Sequence, residues 1–243
     1  MGVDVSAGAP VAIIVDLCVW PLRRTADEIE RLAQFLSDDE RARAARFLSP
    51  KNGDGYIVGR GRLREVLGQY VDVQPGQLRF DYGTAGKPSL SGLRDAPQFN
   101  LSHTGDLAAL AVTARHKIGV DIETVRALKE DIAGRFFAAS EAAAIAALPA
   151  GVQTGAFFRC WTRKEAFIKA TGDGLGFSLQ AFEVSLLEDH PAVVASIAGQ
   201  TPEQVAAWRL HHFEPAAGIV GAIAIDAGSP HANVVVRQRA SAA

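Results

Sequence analysis

The chain has 243 residues, 48% of them hydrophobic and 21% charged, enough to bury one large core or two lobes of roughly 100 to 120 residues and too apolar for a disordered chain. A formal net charge of -2 argues against a general nucleic-acid binder, so any basic site must be local. No apolar run approaches the roughly 18 residues of a membrane span, no basic segment leads into an apolar stretch at the start, and Cys18 and Cys160 fall in apolar strand-like and helical runs. These features predict a cytoplasmic protein with reduced core thiols and no membrane contact.

Residues 11–20 (VAIIVDLCVW) form a β-branched apolar run, the pattern of a buried strand. Helical spacing follows over 26–36 through Ile29, Leu32, Phe35 and Leu36. Ser37 and Glu40 make a capping box before a helix bearing Arg41, Arg43 and Arg46. Residues 50–55 read as a loop and 56–70 as a helix, with Ile57, Leu63, Val66 and Leu67 inward and Arg60, Arg62 and Arg64 on other faces. The stretch 74–97 is turn-rich, with a short strand at 78–82 before the Gly-Lys-Pro turn at 86–88. Strands at 99–103, 107–114 and 118–125 have hairpin-like spacing and predict one antiparallel unit. In the second half, helices are expected at 131–137 and 140–148, a break at 151–155, a central helix at 156–170 and a stop at 171–176 (TGDGLG). Strands are expected at 182–187, 208–214 and 218–226, with a further short strand at 234–236 in a frayed tail. No low-complexity linker separates the halves, so two lobes should pack closely.

Two stretches carry the chemistry. In the strand at 118–123, Ile118, Val120 and Ile122 share one face, so Asp121 and Glu123 point together off the other. Such a pair repels unless a cation or water lies between the carboxylates. In the helix at 161–169 (WTRKEAFIK), Glu165 and Lys169 share a face while Phe167 and Ile168 turn inward. A third carboxylate beside lysines suits a hard, oxygen-liganded cation carrying a phosphorylated ligand. Either stretch alone also fits a solvated strand edge or an ordinary amphipathic helix. The other motifs are weaker: TGDGLG lacks the Lys-Ser or Lys-Thr of a P-loop and follows a helix, so it reads as a helix stop. Ser102 has no nucleophile elbow around it, and His211 and His212 lack the spacing of a zinc site.

In combination the motifs say more. Asn100-Leu101-Ser102-His103, Gly119-Val120-Asp121-Ile122-Glu123, Phe136-Phe137-Ala138-Ala139-Ser140-Glu141 and Trp161-Thr162-Arg163-Lys164-Glu165-Ala166 occur in that order. The series, spanning about residues 36 to 182, resembles the longer, two-lobed 4'-phosphopantetheinyl transferases that modify peptidyl and acyl carrier proteins. The resemblance implies an α+β fold: two similar α/β lobes related by a pseudo-twofold axis, residues 1–116 and 117–243, with coenzyme A in the cleft and a monomeric chain. The first lobe would hold the nucleotide side, and the second the magnesium site, the central helix and a C-terminal segment packing back across. It implies Asp121, Glu123 and Glu165 as Mg2+ ligands, with Asp121 also on the ligand. Lys164 and Lys169 would contact the pyrophosphate, and Ser102, His103 and Lys87 the nucleotide end. Arg43 and Arg60 would meet the phosphates. In the implied reaction a serine of the apo carrier attacks the β-phosphorus and adenosine 3',5'-bisphosphate leaves, with Lys169 adding positive charge and Glu165 or Glu141 as general base. Glu141 also reads simply as an N-terminal helix carboxylate after Ser140. Gly55 departs from the pattern, standing where several relatives carry arginine, so either another residue such as Lys51 or Arg60 completes the phosphate cluster or coenzyme A binds less tightly. The competing function is a non-catalytic coenzyme A or carrier-protein binding module of the same fold, which would not need the full set Asp121, Glu123, Lys164, Glu165 and Lys169. A nucleoside triphosphate phosphotransferase would need a P-loop or kinase-like motifs that the chain lacks.

Overall fold

Apolar strands of this length must bury two faces, and here each sheet does so between a helix on one side and the other sheet on the other. The computed structural model describes residues 12–128, 132–172, 174–187 and 192–239. The first lobe runs β1 (Ile13–Pro21), α1 (Ala26–Ala33), α2 (Asp38–Ala44), α3 (Pro50–Val71), a 3-10 turn (Pro75–Gln77), the hairpin β2 (Phe80–Tyr82) and β3 (Pro88–Leu90), and the hairpin β4 (Gln98–Thr104) and β5 (Leu107–Thr113). The second runs β6 (Ile118–Thr124), α4 (Ala133–Phe136), α5 (Ala139–Ala147), α6 (Ala150–Thr171), 3-10 turns, the hairpin β7 (Phe182–Val184) and β8 (Val194–Ile197), α7 (Pro202–Ala206), and the hairpin β9 (Trp208–Ala216) and β10 (Ile219–Asp226). A last strand, β11 (Val234–Arg239), returns to the first lobe and pairs in parallel with β1.

The two lobes share one plan. In each, the opening strand pairs antiparallel with the last strand of the closing hairpin, β1 with β5 and β6 with β10. The sheets are therefore β11-β1-β5-β4 and β6-β10-β9. Between them Val15, Leu17, Ala109 and Ala111 of the first sheet meet Ile118, Val120, Ile122, Ile223 and Ile225 of the second. Outside, α3 packs Val58, Leu63 and Leu67 on the first sheet, and α6 packs Phe157, Phe167 and Ile168 on the second.

Three sequence expectations change. The strand at 118–124 does not extend the β4–β5 hairpin but starts the second sheet, because Ile118, Val120 and Ile122 stack face to face on the first sheet. The expected loop at 50–55 and break at 151–155 are the first turns of α3 and α6, each 22 residues long. Pro50 suits a first helical turn, and Gly53 fits where a Cβ would come 3.1 Å from the Ala44 carbonyl oxygen. In α6 the glycine cost of roughly 1 kcal/mol per site is offset by burial of Ala156, Phe157, Phe158 and Cys160 just beyond. The helix ends as expected at Gly172, which is left-handed at φ 82°. Asp131 and Asp173, parts of the expected helix and stop, lie outside the described residues. Gly119 is where α6 lies directly on β6: a Cβ there would fall 2.0 Å from the Ala166 carbonyl oxygen, so no other residue fits without moving the helix.

Candidate active site at the seam between the lobes

One edge of β6 is bound by β10; the other is closed by side chains of the first lobe. Asn100 Oδ1 accepts the Val120 N–H at 2.9 Å, Ser102 Oγ the Ile122 N–H at 3.4 Å and Thr104 Oγ1 the Thr124 N–H at 3.1 Å. Lys87 Nζ donates to the Ile118 carbonyl at 2.8 Å. Asn100, Ser102 and Thr104 alternate along β4 and so share its face toward β6. Sequence reasoning missed Asn100 and Thr104 as seam residues. The available signal was three polar side chains at alternate positions in an otherwise apolar hairpin.

This seam delivers Ser102 to the carboxylates. Asp121 is 5% exposed, and its Oδ1 accepts from Lys169 Nζ at 2.6 Å and Ser102 Oγ at 2.9 Å. Lys169 Nζ also donates to Ser102 Oγ at 3.1 Å. The Ser102 hydroxyl thus donates once and accepts twice, its full capacity. Ser102 is a member of the carboxylate cluster. Asp121 Oδ2 is buried and has no hydrogen-bond partner among the described residues. Burial pushes the Asp121 carboxyl up, Lys169 and Ser102 pull it back, and Glu123 adds to the rise. Burial also raises Glu165, followed by the charge of Asp121, with Lys169 opposing and Glu123 adding. Glu123 is partly exposed and pairs with Arg126 at 3.2 Å. Asp121, Glu123 and Glu165 therefore act on one another electrostatically.

No three His, Cys, Asp or Glu side chains among the described residues converge into a ready-made metal cage. A hard dication nonetheless fits: the donors are all oxygen, Asp121 keeps one buried oxygen unsatisfied, and the raised carboxyls of Asp121 and Glu165 are what a cation would relieve.

Four expected ligand or catalytic residues are placed differently. Lys164 is 0% exposed and donates to Glu141 Oε2 at 2.7 Å, the Leu179 carbonyl at 2.7 Å and the Phe182 carbonyl at 2.5 Å. At 3.6 residues per turn it points about 100° away from neighbouring Glu165, into the lobe. Glu141 is 4% exposed, accepting from the Ala138 N–H at 3.0 Å and the Val184 N–H at 2.8 Å. It is the capping carboxylate of α5 and Lys164's partner. Lys87 directs its ammonium to the carbonyls of Ile118, Lys169 and Ala170. Arg60 is paired with Glu40 at 2.8 Å through Nε and with Tyr82 Oη at 3.0 Å. Lys51, the other substitute for the missing arginine at Gly55, pairs with Asp106 at 3.1 Å. Arg43 is exposed, its guanidinium 5.5 Å from the Tyr56 ring centre, and His103 is exposed near the end of β4.

Comparison with known proteins identifies the family to which this two-lobed fold and its carboxylate–lysine seam belong. The family described as "4'-phosphopantetheinyl transferase superfamily" matches residues 117–224, and "4'-phosphopantetheinyl transferase, N-terminal" matches residues 21–115. The chain is 40% identical over 210 residues to the 4'-phosphopantetheinyl transferase HetI of Nostoc sp., covering 84% of each chain. It is 33% identical over 163 residues to the 4'-phosphopantetheinyl transferase Sfp of Bacillus subtilis, covering 67% of this chain and 72% of that one. A crystal structure of Thermotoga maritima holo-[acyl-carrier-protein] synthase aligns with 46% of this chain and 63% of that chain, at 21% identity and a TM-score of 0.36. The chain belongs to the 4'-phosphopantetheinyl transferase family and is an enzyme of phosphopantetheine transfer.

Proposed function

We propose that this enzyme transfers the 4'-phosphopantetheine arm of coenzyme A to a serine of an apo acyl or peptidyl carrier protein, with Mg2+ held by Asp121, Glu123 and Glu165. The observation that carries the proposal is Asp121, buried with Oδ2 unsatisfied and Lys169 at 2.6 Å on Oδ1. When bound, magnesium supplies charge neutralisation on the pyrophosphate and alignment of the leaving oxygen. Lys169 adds a preorganised positive charge beside the same phosphates. Glu165 takes the proton of the carrier serine, since Glu141 is sealed by Lys164 and two backbone N–H groups. As the serine oxygen bonds to the β-phosphorus, the bridging bond breaks and adenosine 3',5'-bisphosphate leaves. His103 and Arg43, both exposed on the first lobe, meet the 3'-phosphate end of coenzyme A.

Both sides of the seam come from one chain, so a monomer suffices, and no helix among the described residues is long and apolar enough to cross a membrane. The test is incubation with apo carrier protein, coenzyme A and Mg2+, followed by mass spectrometry of the carrier. A gain of one phosphopantetheine is expected. Coenzyme A binding without that gain would instead mark a binding module.

A further inference from the structure

Lys87 sits at the head of the seam and holds the backbone of both elements of the site at once. It ends the turn between β2 and β3 of the first lobe, where the Gly83 N–H donates to the Lys87 carbonyl at 3.0 Å. Its Nζ donates to the Ile118 carbonyl of β6 at 2.8 Å and to the Lys169 and Ala170 carbonyls of α6 at 2.7 and 3.3 Å. The last carbonyls of a helix lack partners within it; this ammonium supplies two of them, and its third donor goes to Ile118 of β6. Ile118 opens the strand carrying Asp121 and Glu123; Lys169 and Ala170 close the helix carrying Glu165. The contact is made where α6 rests on Gly119 without clearance, so a shift of the helix end would move Lys169 relative to Asp121.

We infer that Lys87 is a positioning residue for the transfer site, an interlobe clamp that fixes the last turn of α6 to the start of β6 and thereby sets Lys169 on Asp121. Burial, with Lys117 adding to it, pushes the Lys87 amine down to about 8, in keeping with an ammonium enclosed by carbonyls and lacking a carboxylate partner. The inference rests on the proposed transfer reaction for its kinetic consequence but not for the clamp itself.

The test uses Lys87→Met and Lys87→Cys in the full chain. Both should lower kcat roughly ten- to a hundredfold, the scale of a small misplacement of a catalytic group, with KM for coenzyme A nearly unchanged. Amide hydrogen exchange in the last turn of α6 and at the start of β6 should accelerate by ~tenfold or more, the loss of one charge-assisted hydrogen bond, with the α1–α3 core unaffected. Bromoethylamine on Lys87→Cys rebuilds an ammonium of the same reach and should restore both. Cys18 and Cys160, 3% and 0% exposed, remain unmodified, and treated wild type is the control. A raised KM for coenzyme A with kcat preserved would make Lys87 a ligand and overturn the clamp, as would unchanged exchange. If wild type transfers nothing, the proposed function fails while the exchange measurement still decides the clamp. If Lys87→Met does not fold, recovery of Lys87→Cys by alkylation decides it.

Discussion

Arg64 in α3 and Lys164 in α6 occupy the same place in their lobes. Each lies seven residues before its helix ends, at Val71 and Thr171. Each pairs with the capping glutamate of the preceding helix, Glu40 for Arg64 at 2.7 Å and Glu141 for Lys164 at 2.7 Å. Each donates to two carbonyls beyond its helix, those of Pro75 and Leu78 or of Leu179 and Phe182. Each also stands near an aromatic ring of the strand that follows, Phe80 at 5.1 Å or Phe182 at 4.2 Å. The buried ion pair is thus scaffold in both lobes, and Lys164 belongs to it.

What differs is the next face of each helix and the strand beneath it. Asp121 and Cys18 match, three residues along from the start of the pairing with β10 and β5, opposite Ala222 and Leu110. Glu165 and Lys169 match Glu65 and Gln69, and Glu65 is held by Arg31 at 2.7 Å and Arg62 at 2.5 Å. The edges differ as well. β1 is closed by a strand, β11, with Arg237 on Asp16 at 3.0 Å, whereas β6 is closed by side chains of β4. A strand closes an edge with backbone alone; side chains close it while placing Ser102 on Asp121.

The comparison breaks most visibly at Asp121. Asp121→Ala should lower transfer on the order of a thousandfold, matching the several kcal/mol of charge stabilisation at a metal, with the circular dichroism spectrum retained. Cys18→Ala, at the matching place in β1, should leave turnover essentially unchanged. Full activity of folded Asp121→Ala at ordinary magnesium would defeat the metal assignment.

The scaffold pairs come next. Lys164→Met should cost about 3 to 5 kcal/mol in urea unfolding, because it strands the buried Glu141 carboxylate; Arg64→Met should cost less, because Arg60 still pairs with Glu40. At Lys164→Met the KM for coenzyme A should hold. A large rise there would return Lys164 to the ligand.

His103→Ala should raise KM for coenzyme A roughly ten- to a hundredfold, the equivalent of about 1.5 to 3 kcal/mol for a hydrogen bond to a charged group, with a smaller loss in kcat. Dephospho-coenzyme A, lacking the 3'-phosphate, should be used equally poorly by both proteins. Equal harm with both substrates would assign His103 to the strand end or the pyrophosphate.

The smallest effect expected is a gain in stability. The Glu165 carboxyl is raised by burial and by Asp121, so between its ordinary range and its folded value the native state binds the proton more tightly than the unfolded chain. Stability from this group therefore falls as pH rises through that window and stays reduced above it. Glu165→Gln, in chelator, should melt a few degrees higher than wild type at neutral pH, with the difference closing as pH falls to the ordinary carboxylate range. A variant less stable than wild type at neutral pH would mean that Glu165 is already satisfied by protein partners.

The amino-acid sequence by itself determined the periodic features: the alternation that puts Asp121 and Glu123 on one face of β6, the helical spacing of Glu165 and Lys169, the capping box at Ser37 and Glu40, and the stop at Gly172. These depend on neighbours a few residues away, and 2.0 or 3.6 residues per repeat suffices to read them. The sequence motif also named the family, but it grouped Lys164 with Lys169 and Glu141 with Glu165, although one member of each pair faces the core. Only the tertiary structure decided that α3 and α6 run through their glycines, where burial outweighs a local penalty. It likewise decided that Arg60 belongs to Glu40 and that β6 closes on side chains 20 residues upstream. Lys87 caps a helix end 82 residues away. Which carbonyl lacks a partner, and which charge reaches it, depends on where two lobes meet, and no local pattern encodes that distance.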